Sequence, residues 1–431
     1  MRLRRALVAL AVVAAALALA AAPAGAAVAE FTPSIVMTNF GEMGAPCLQM
    51  VDNAAKLNAN QIKFVPTVHY YGSESRIDSY CYRNENWGCE DVTPESMRRY
   101  RDLLAKCISY AVDKYNVDVA ILAHLDNMKE YTWRNLLQFS PLVKYGGYSY
   151  KDAVLRPMAD AVNKAAKPGT RVVFTLNGET GKSVSQYSKH WLDLVPVARG
   201  WLMAGGKLPR ESAQIAVSLN YNKLYGWIDF DSISPDYIAK NFDKEWKEQV
   251  KKYPMDLPNM KRLYDAIDVI GLSAYPPLYP NFKSEDLQVA LQYHSQELSY
   301  AGINLKQLLD GGKKLVISEW GVGGGTEDGK SIAATVKDVA GYPFFGLWYP
   351  YGSWKDPWKR PEYAAYRRYL YRKTADWLAQ GGGPTFKLDK LYVWNAGSWD
   401  ALGVHFQSGD ATGSWADSEI IELVKTHNAK V

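Results

Sequence analysis

The sequence predicts an α/β fold of the (β/α)8, or TIM-barrel, class, built as a single domain with decorated loops. Three observations carry this. Eight apolar, β-branched runs alternate with segments of helical length. Each run ends abruptly in polar or aromatic residues, as strands do when both faces are buried and their last residues reach a common mouth. No G-x-G-x-x-G follows the first run, so the open doubly wound alternative lacks its dinucleotide signature.

The runs come in order as "SIVMTNF" near 34 to 40, "IKFVPTVHYY" near 62 to 71, "DVAILAHLD" near 118 to 126, "RVVFTLNGE" near 171 to 179, "QIAVSLNYN" near 214 to 222, "DVIGLSAYP" near 268 to 276, "KLVISEWG" near 314 to 321 and "KLYVWNAGS" near 390 to 398. Amphipathic helices are expected between them. "TPESMRRYRDLLAKCISYAVDKY" has Thr93 as N-cap and Pro94 in its first turn; "SYKDAVLRPMADAVNKAAK", "SVSQYSKHWLDLVPVARGWLMAG", "KNFDKEWKEQVKKY" and "PEYAAYRRYLYRKTADWLAQGG" follow. The aromatic stretch "YPFFGLWYPYGSWKDPW" competes for the place of strand eight. Reading it as an insertion between strand seven and its helix keeps eight units and leaves "SWADSEIIELVKTHN" as the last helix.

The N-terminus bounds the domain. A basic start, an apolar run from Ala6 to about Ala22 and small residues at Ala24 and Ala26 predict a cleaved signal peptide over 1–26, with the barrel on 27–431 and a secreted product. The net charge of +5 includes Arg2, Arg4 and Arg5, so removing the leader leaves +2, which gives no electrostatic case for nucleic acid or for a membrane surface. All four cysteines, Cys47, Cys81, Cys89 and Cys107, fall early in the mature chain, and an oxidising compartment predicts two disulfides. Of three connectivities, Cys81 with Cys89 and Cys47 with Cys107 is the expected one. No metal and no cofactor is expected: the His residues lack i, i+4 pairing, and "GGGTEDGKS" has the wrong spacing for a phosphate loop.

In a barrel, the strand ends bring Asn39, Glu42, His69, Tyr70, His124, Asp126, Asn177, Glu179, Asn220, Asn222, Tyr275, Glu319, Trp320 and Trp394 to one mouth. Two carboxyls converging from strands four and seven, Glu179 and Glu319, are what acid-assisted glycosidic cleavage through a covalent intermediate requires: one supplies a proton and the other attacks the anomeric carbon. The heavy load of 14 Trp and 29 Tyr suits sugar stacking. His69, His124, Asp126 and Asn220 are candidates to bind sugar hydroxyls.

On "LNGE" at strand four, "ISEWG" at strand seven, "SAYP" at strand six and "VWN" at strand eight, the chain resembles the clan A retaining glycoside hydrolases over nearly the whole mature length. The resemblance implies Glu319 as nucleophile, Glu179 as acid and then base, Tyr275 beside the nucleophile and Trp394 as floor of the reacting subsite, with Trp320 and Asn177 in the substrate site. It implies a poly- or oligosaccharide as partner and a pKa for Glu179 above that of Glu319. The sequence departs in one place. Most clan members set Asn directly before the acid/base Glu, whereas here Gly178 separates Asn177 from Glu179; either the strand end bulges or another group fills the Asn role. A sugar-binding barrel without catalysis and a transglycosylase are the alternatives on the same fold.

Overall fold

The computed structural model describes residues 27–129, 132–226, 235–347, 356–396, 402–406 and 416–431, without the side chains of 235–239. The leader and the aromatic residues Trp348, Tyr349, Tyr351 and Trp354 lie outside them.

Eight parallel strands close into a barrel in chain order: Glu30–Met37, Gln61–Ser73, Asp118–Leu122, Val172–Gly178, Ala213–Asn220, Val269–Ser273, Lys314–Trp320 and Lys390–Val393. Strand one pairs with strand two (Ser34 opposite Lys63) and with strand eight (Glu30 opposite Lys390), which completes the ring. The eight runs read from sequence are these eight strands. "KLYVWNAGS" supplies the eighth, and the aromatic stretch falls between strand seven and the helix Pro361–Leu378.

The outer helices form where the sequence caps them. Pro94–Tyr115 starts at Thr93, whose hydroxyl accepts from the Ser96 amide at 3.1 Å, and stops at Asn116, which turns left-handed at φ 51°. The final helix, Ser418–Asn428, is capped by Asp417 and clasps strand one, because Asn428 bonds both the N–H and the C=O of Phe31. Among the described residues, no helix is long and apolar enough to cross a membrane.

Inside the ring, Ala120, Val173, Ala216, Val269, Val316 and Tyr392 pack as one small layer. Nearer the mouth, Val36, Val65, Leu122, Trp394 and Leu402 form another. Both disulfides have the expected pairing. Cys47–Cys107 joins the helix Ala45–Ala55 to Pro94–Tyr115, and Cys81–Cys89 closes a hairpin, Arg76–Arg83 with Cys89–Asp91, that extends strand two beyond the mouth.

Candidate active site

The C-terminal strand ends surround a cavity of about 1770 Å³. Nine of the fourteen residues expected at the mouth line it: Glu179, Glu319, His69, His124, Asp126, Asn220, Asn222, Tyr275 and Trp394; Asn39, Glu42, Tyr70, Asn177 and Trp320 do not.

Glu179 is brought in by a bulge. Strand four pairs Thr175 with Ala216 and then Gly178 with Ser218, so it carries one residue more than strand five across this step. The Asn177 side chain fills the resulting gap in the ladder: its amide donates to the Ser218 carbonyl at 3.2 Å and to the Thr180 hydroxyl at 3.1 Å, while its oxygen accepts from the Ser218 N–H at 3.3 Å. Asn177 is fully buried and is not among the cavity residues, so its predicted place in the substrate site is corrected to a structural one. Beyond Gly178 the chain turns left-handed at Glu179 itself, φ 61°. The Glu179 carboxylate is held from two sides, by Arg134 Nη1 at 2.7 Å and by the Asn220 amide.

Glu319 is brought in by a second irregularity. Ile317 pairs with Leu272 but Glu319 with Ser273, and on the other side Ile317 pairs with Leu391 but Trp320 with Val393. Simple alternation would turn Glu319 away from the barrel axis, given that Val316 and Ser318 face inward; the extra residue carries it to the mouth. Glu319 Oε2 accepts from the Tyr275 hydroxyl at 3.1 Å, and Oε1 is buried with no hydrogen-bond partner among the described residues. Trp320, only 2% exposed, points into the core instead of the cavity, which corrects its expected role as a substrate contact.

Two cationic residues that drew no attention in the sequence organise this site. Arg134, in the short turn Arg134–Leu136 after strand three, donates through Nη2 to Asp126 at 2.6 Å and through Nε to the Leu125 carbonyl at 3.0 Å, so one guanidinium bridges Asp126 and Glu179. Lys63 projects from strand two into the barrel, where its ammonium bonds the carbonyl of Ser318, the residue before Glu319, and lies 4.8 Å from the Tyr392 ring centroid. Around it the hydroxyls of Ser218, Ser318 and Ser273 form a string at 2.5 and 3.2 Å. A lone Lys in an otherwise apolar strand was the available signal. Arg134, in an irregular segment, left none.

The electrostatics follow from burial. Burial, and then the charge of Glu179, push the Glu319 carboxyl up; Lys63, Arg134 and the Tyr275 hydroxyl pull the other way. Burial pushes Lys63 down, while Glu319 and Glu179 favour its charge. Burial takes His69 down to about 4 and His124 down to about 3, so both rings are neutral near pH 7. Burial works to raise Asp126, but His124, Arg134 and His69 together outweigh it and hold its carboxyl below the usual range. His124 accepts or donates at 3.2 Å to the Thr67 hydroxyl and lies 5.6 Å from the Trp394 ring, which ties strand three to strand eight across the floor of the cavity.

No family model matches the chain, and no curated protein matches it. Solved structures do. A GH113 β-mannanase from Alicyclobacillus acidocaldarius has a TM-score of 0.52 and 12% identity, covering 95% of this chain and 99% of that one. A second structure, a GH113 β-1,4-mannanase, has a TM-score of 0.46 and 12% identity over 93% of this chain and 99% of its own. A GH10 endoxylanase from a sugarcane soil metagenome has 0.42 and 11% over 92% and 97%. At 12% identity the likeness to the first of these is one of fold, the TIM barrel, and no single family is marked out.

Proposed function

We propose that the chain is a secreted glycoside hydrolase that cleaves β-linked poly- or oligosaccharide with retention of configuration, with Glu319 as nucleophile and Glu179 as general acid and then base, after removal of the leader 1–26. The observation that carries this reading is the pair of buried carboxyls from strands four and seven, facing one cavity and acting on each other electrostatically. Retention needs one proton for the two of them. Attack by Glu319 on the anomeric carbon breaks the bond to the leaving oxygen, which takes the proton of Glu179; water then cleaves the glycosyl ester while Glu179 takes a proton back.

The charges at the mouth start from another arrangement. Glu319 is the carboxyl pushed up, and Glu179 is ion-paired to Arg134. In the proposed cycle the arriving sugar displaces this arrangement: the proton passes to Glu179 as its leaving-group partner approaches, and Lys63 compensates the bared Glu319 from below. The same observation favours a second reading in which the roles are exchanged, with Glu179 attacking and Glu319 donating.

Azide rescue separates the two. With an activated aryl β-glycoside, Glu319→Ala is expected to yield the α-glycosyl azide and Glu179→Ala the β-glycosyl azide. The reverse assignment of products supports the exchanged roles. Wild-type protein that binds glycans and releases no reducing ends supports the sugar-binding alternative.

A further inference from the structure

Cavity size and loop construction point beyond the reacting sugar. Pockets for small ligands have volumes of about 300–1,000 Å³, and the cavity here, about 1770 Å³, exceeds that range. Part of the excess is walled by the hairpin that continues strand two. Its tip carries Trp87, which lines the cavity, is 56% exposed and, among the described residues, belongs to no hydrophobic cluster of the core.

The tip is built to hold that indole out. Cys81–Cys89 closes the loop at its base. Within it, the Asn84 side chain accepts from the amides of Asn86 and Gly88, each at 3.0 Å, and the Asn84 N–H donates to the Gly88 carbonyl at 2.8 Å. From outside, Arg99 on the helix Pro94–Tyr115 bonds Glu85 and Glu90, and the Phe40 N–H donates to the Arg83 carbonyl at 3.0 Å. Trp87 has φ 63°, a left-handed conformation that a bulky aromatic residue adopts only when its surroundings impose it. The Arg83 guanidinium stands 5.3 Å from the ring centroid and fixes its attitude. A large apolar ring thus costs exposure and backbone strain, and among the described residues it joins no apolar cluster in return.

A second aromatic group lines the same cavity after strand seven. Tyr342, 46% exposed, stacks on Phe345 at 5.4 Å, and Phe344 meets Trp133 edge-on at 5.7 Å. Strands two and seven stand three places apart around an eight-stranded ring, so the two aromatic groups flank the mouth on different sides.

We propose that the Trp87 loop is a distal sugar subsite whose indole stacks a residue of an extended β-linked chain, which makes the natural substrate a polysaccharide or long oligosaccharide and not a short glycoside. This rests on the glycosidase reading above. It is tested with disaccharide and hexasaccharide members of the β-1,4-mannan, xylan and cellulose series, read in two ways. For the active enzyme, Trp87→Ala is expected to lower the ratio of kcat/KM on the hexasaccharide to that on the disaccharide about tenfold, and Trp87→Phe to recover most of it, since a tenfold change needs only about the free energy that stacking supplies. For the Glu319→Gln protein, calorimetry is expected to show hexasaccharide binding more tightly than disaccharide, with the difference lost when Trp87→Ala is added. An unchanged ratio in the first experiment, or no gain of affinity with chain length in the second, overturns the subsite. Failure of the glycosidase reading is seen separately, as wild-type protein without turnover on any series, and leaves the binding comparison as the test.

Discussion

Glu179 reaches the cavity through a backbone conformation that most residues avoid, and the reason lies three positions around it. Gly178 allows the bulge, Asn177 repairs the interrupted ladder with its side-chain amide, and the turn at φ 61° then presents the carboxyl to Arg134 and Asn220. The spacing Asn-Gly-Glu announced an irregular strand end. It could not announce what Asn177 does, because an amide before a glutamate reads equally as a sugar ligand, and only the position of the Ser218 peptide decides. Asn177→Ala is accordingly expected to cost about 1–3 kcal/mol of stability by leaving the buried Ser218 N–H unpaired, while the Ser218 carbonyl keeps the Glu179 N–H at 3.1 Å; the loss is read as a lower denaturant midpoint. A variant as stable as the wild type but with a raised KM would return Asn177 to the substrate. Trp320 teaches the same point: beside Glu319 in sequence, it faces the opposite way, since neighbours on a strand point to opposite faces.

Strands were legible as elements because runs of β-branched and aliphatic residues have few alternatives inside an α/β protein. Their bulges were not, and in strand seven the bulge decides whether Glu319 faces the mouth or the helices. Strand two carried a readable anomaly, Lys63 among apolar neighbours, whose meaning appeared only when the ring closed and set its ammonium beneath Ser318 and Glu319. The groups facing this ammonium come from three other strands: Glu179, Ser318 with Glu319, and Tyr392. Its charge draws the Glu319 carboxyl down, against burial and against Glu179, which both push it up. Lys63→Met therefore raises the proton affinity of Glu319, and a nucleophile that must be bare then needs a higher pH. In the proposed hydrolase, the acid limb of kcat/KM is expected to move upward in pH. A fall in rate with the limb unmoved would reduce Lys63 to a packing role.

At the scale of the molecule, the count of eight units, the early cysteine pairs and the carboxyl-bearing ends of strands four and seven were all present in the chain as written, and barrel closure brings the two carboxyls to one cavity. Arg134 escaped because an irregular turn after strand three has no periodicity to read, although it joins Asp126 to Glu179. Closure also explains why residues 140 positions apart in the chain act on each other: burial, and then the charge of Glu179, push the Glu319 carboxyl up. The most direct test is to trap the glycosyl ester with an activated 2-deoxy-2-fluoro-β-glycoside and locate it by peptide mass spectrometry. The predicted result is stoichiometric label on the peptide containing Glu319, blocked by Glu319→Gln. Label on Glu179, or turnover of the parent glycoside with no ester trapped on either residue, would contradict the account.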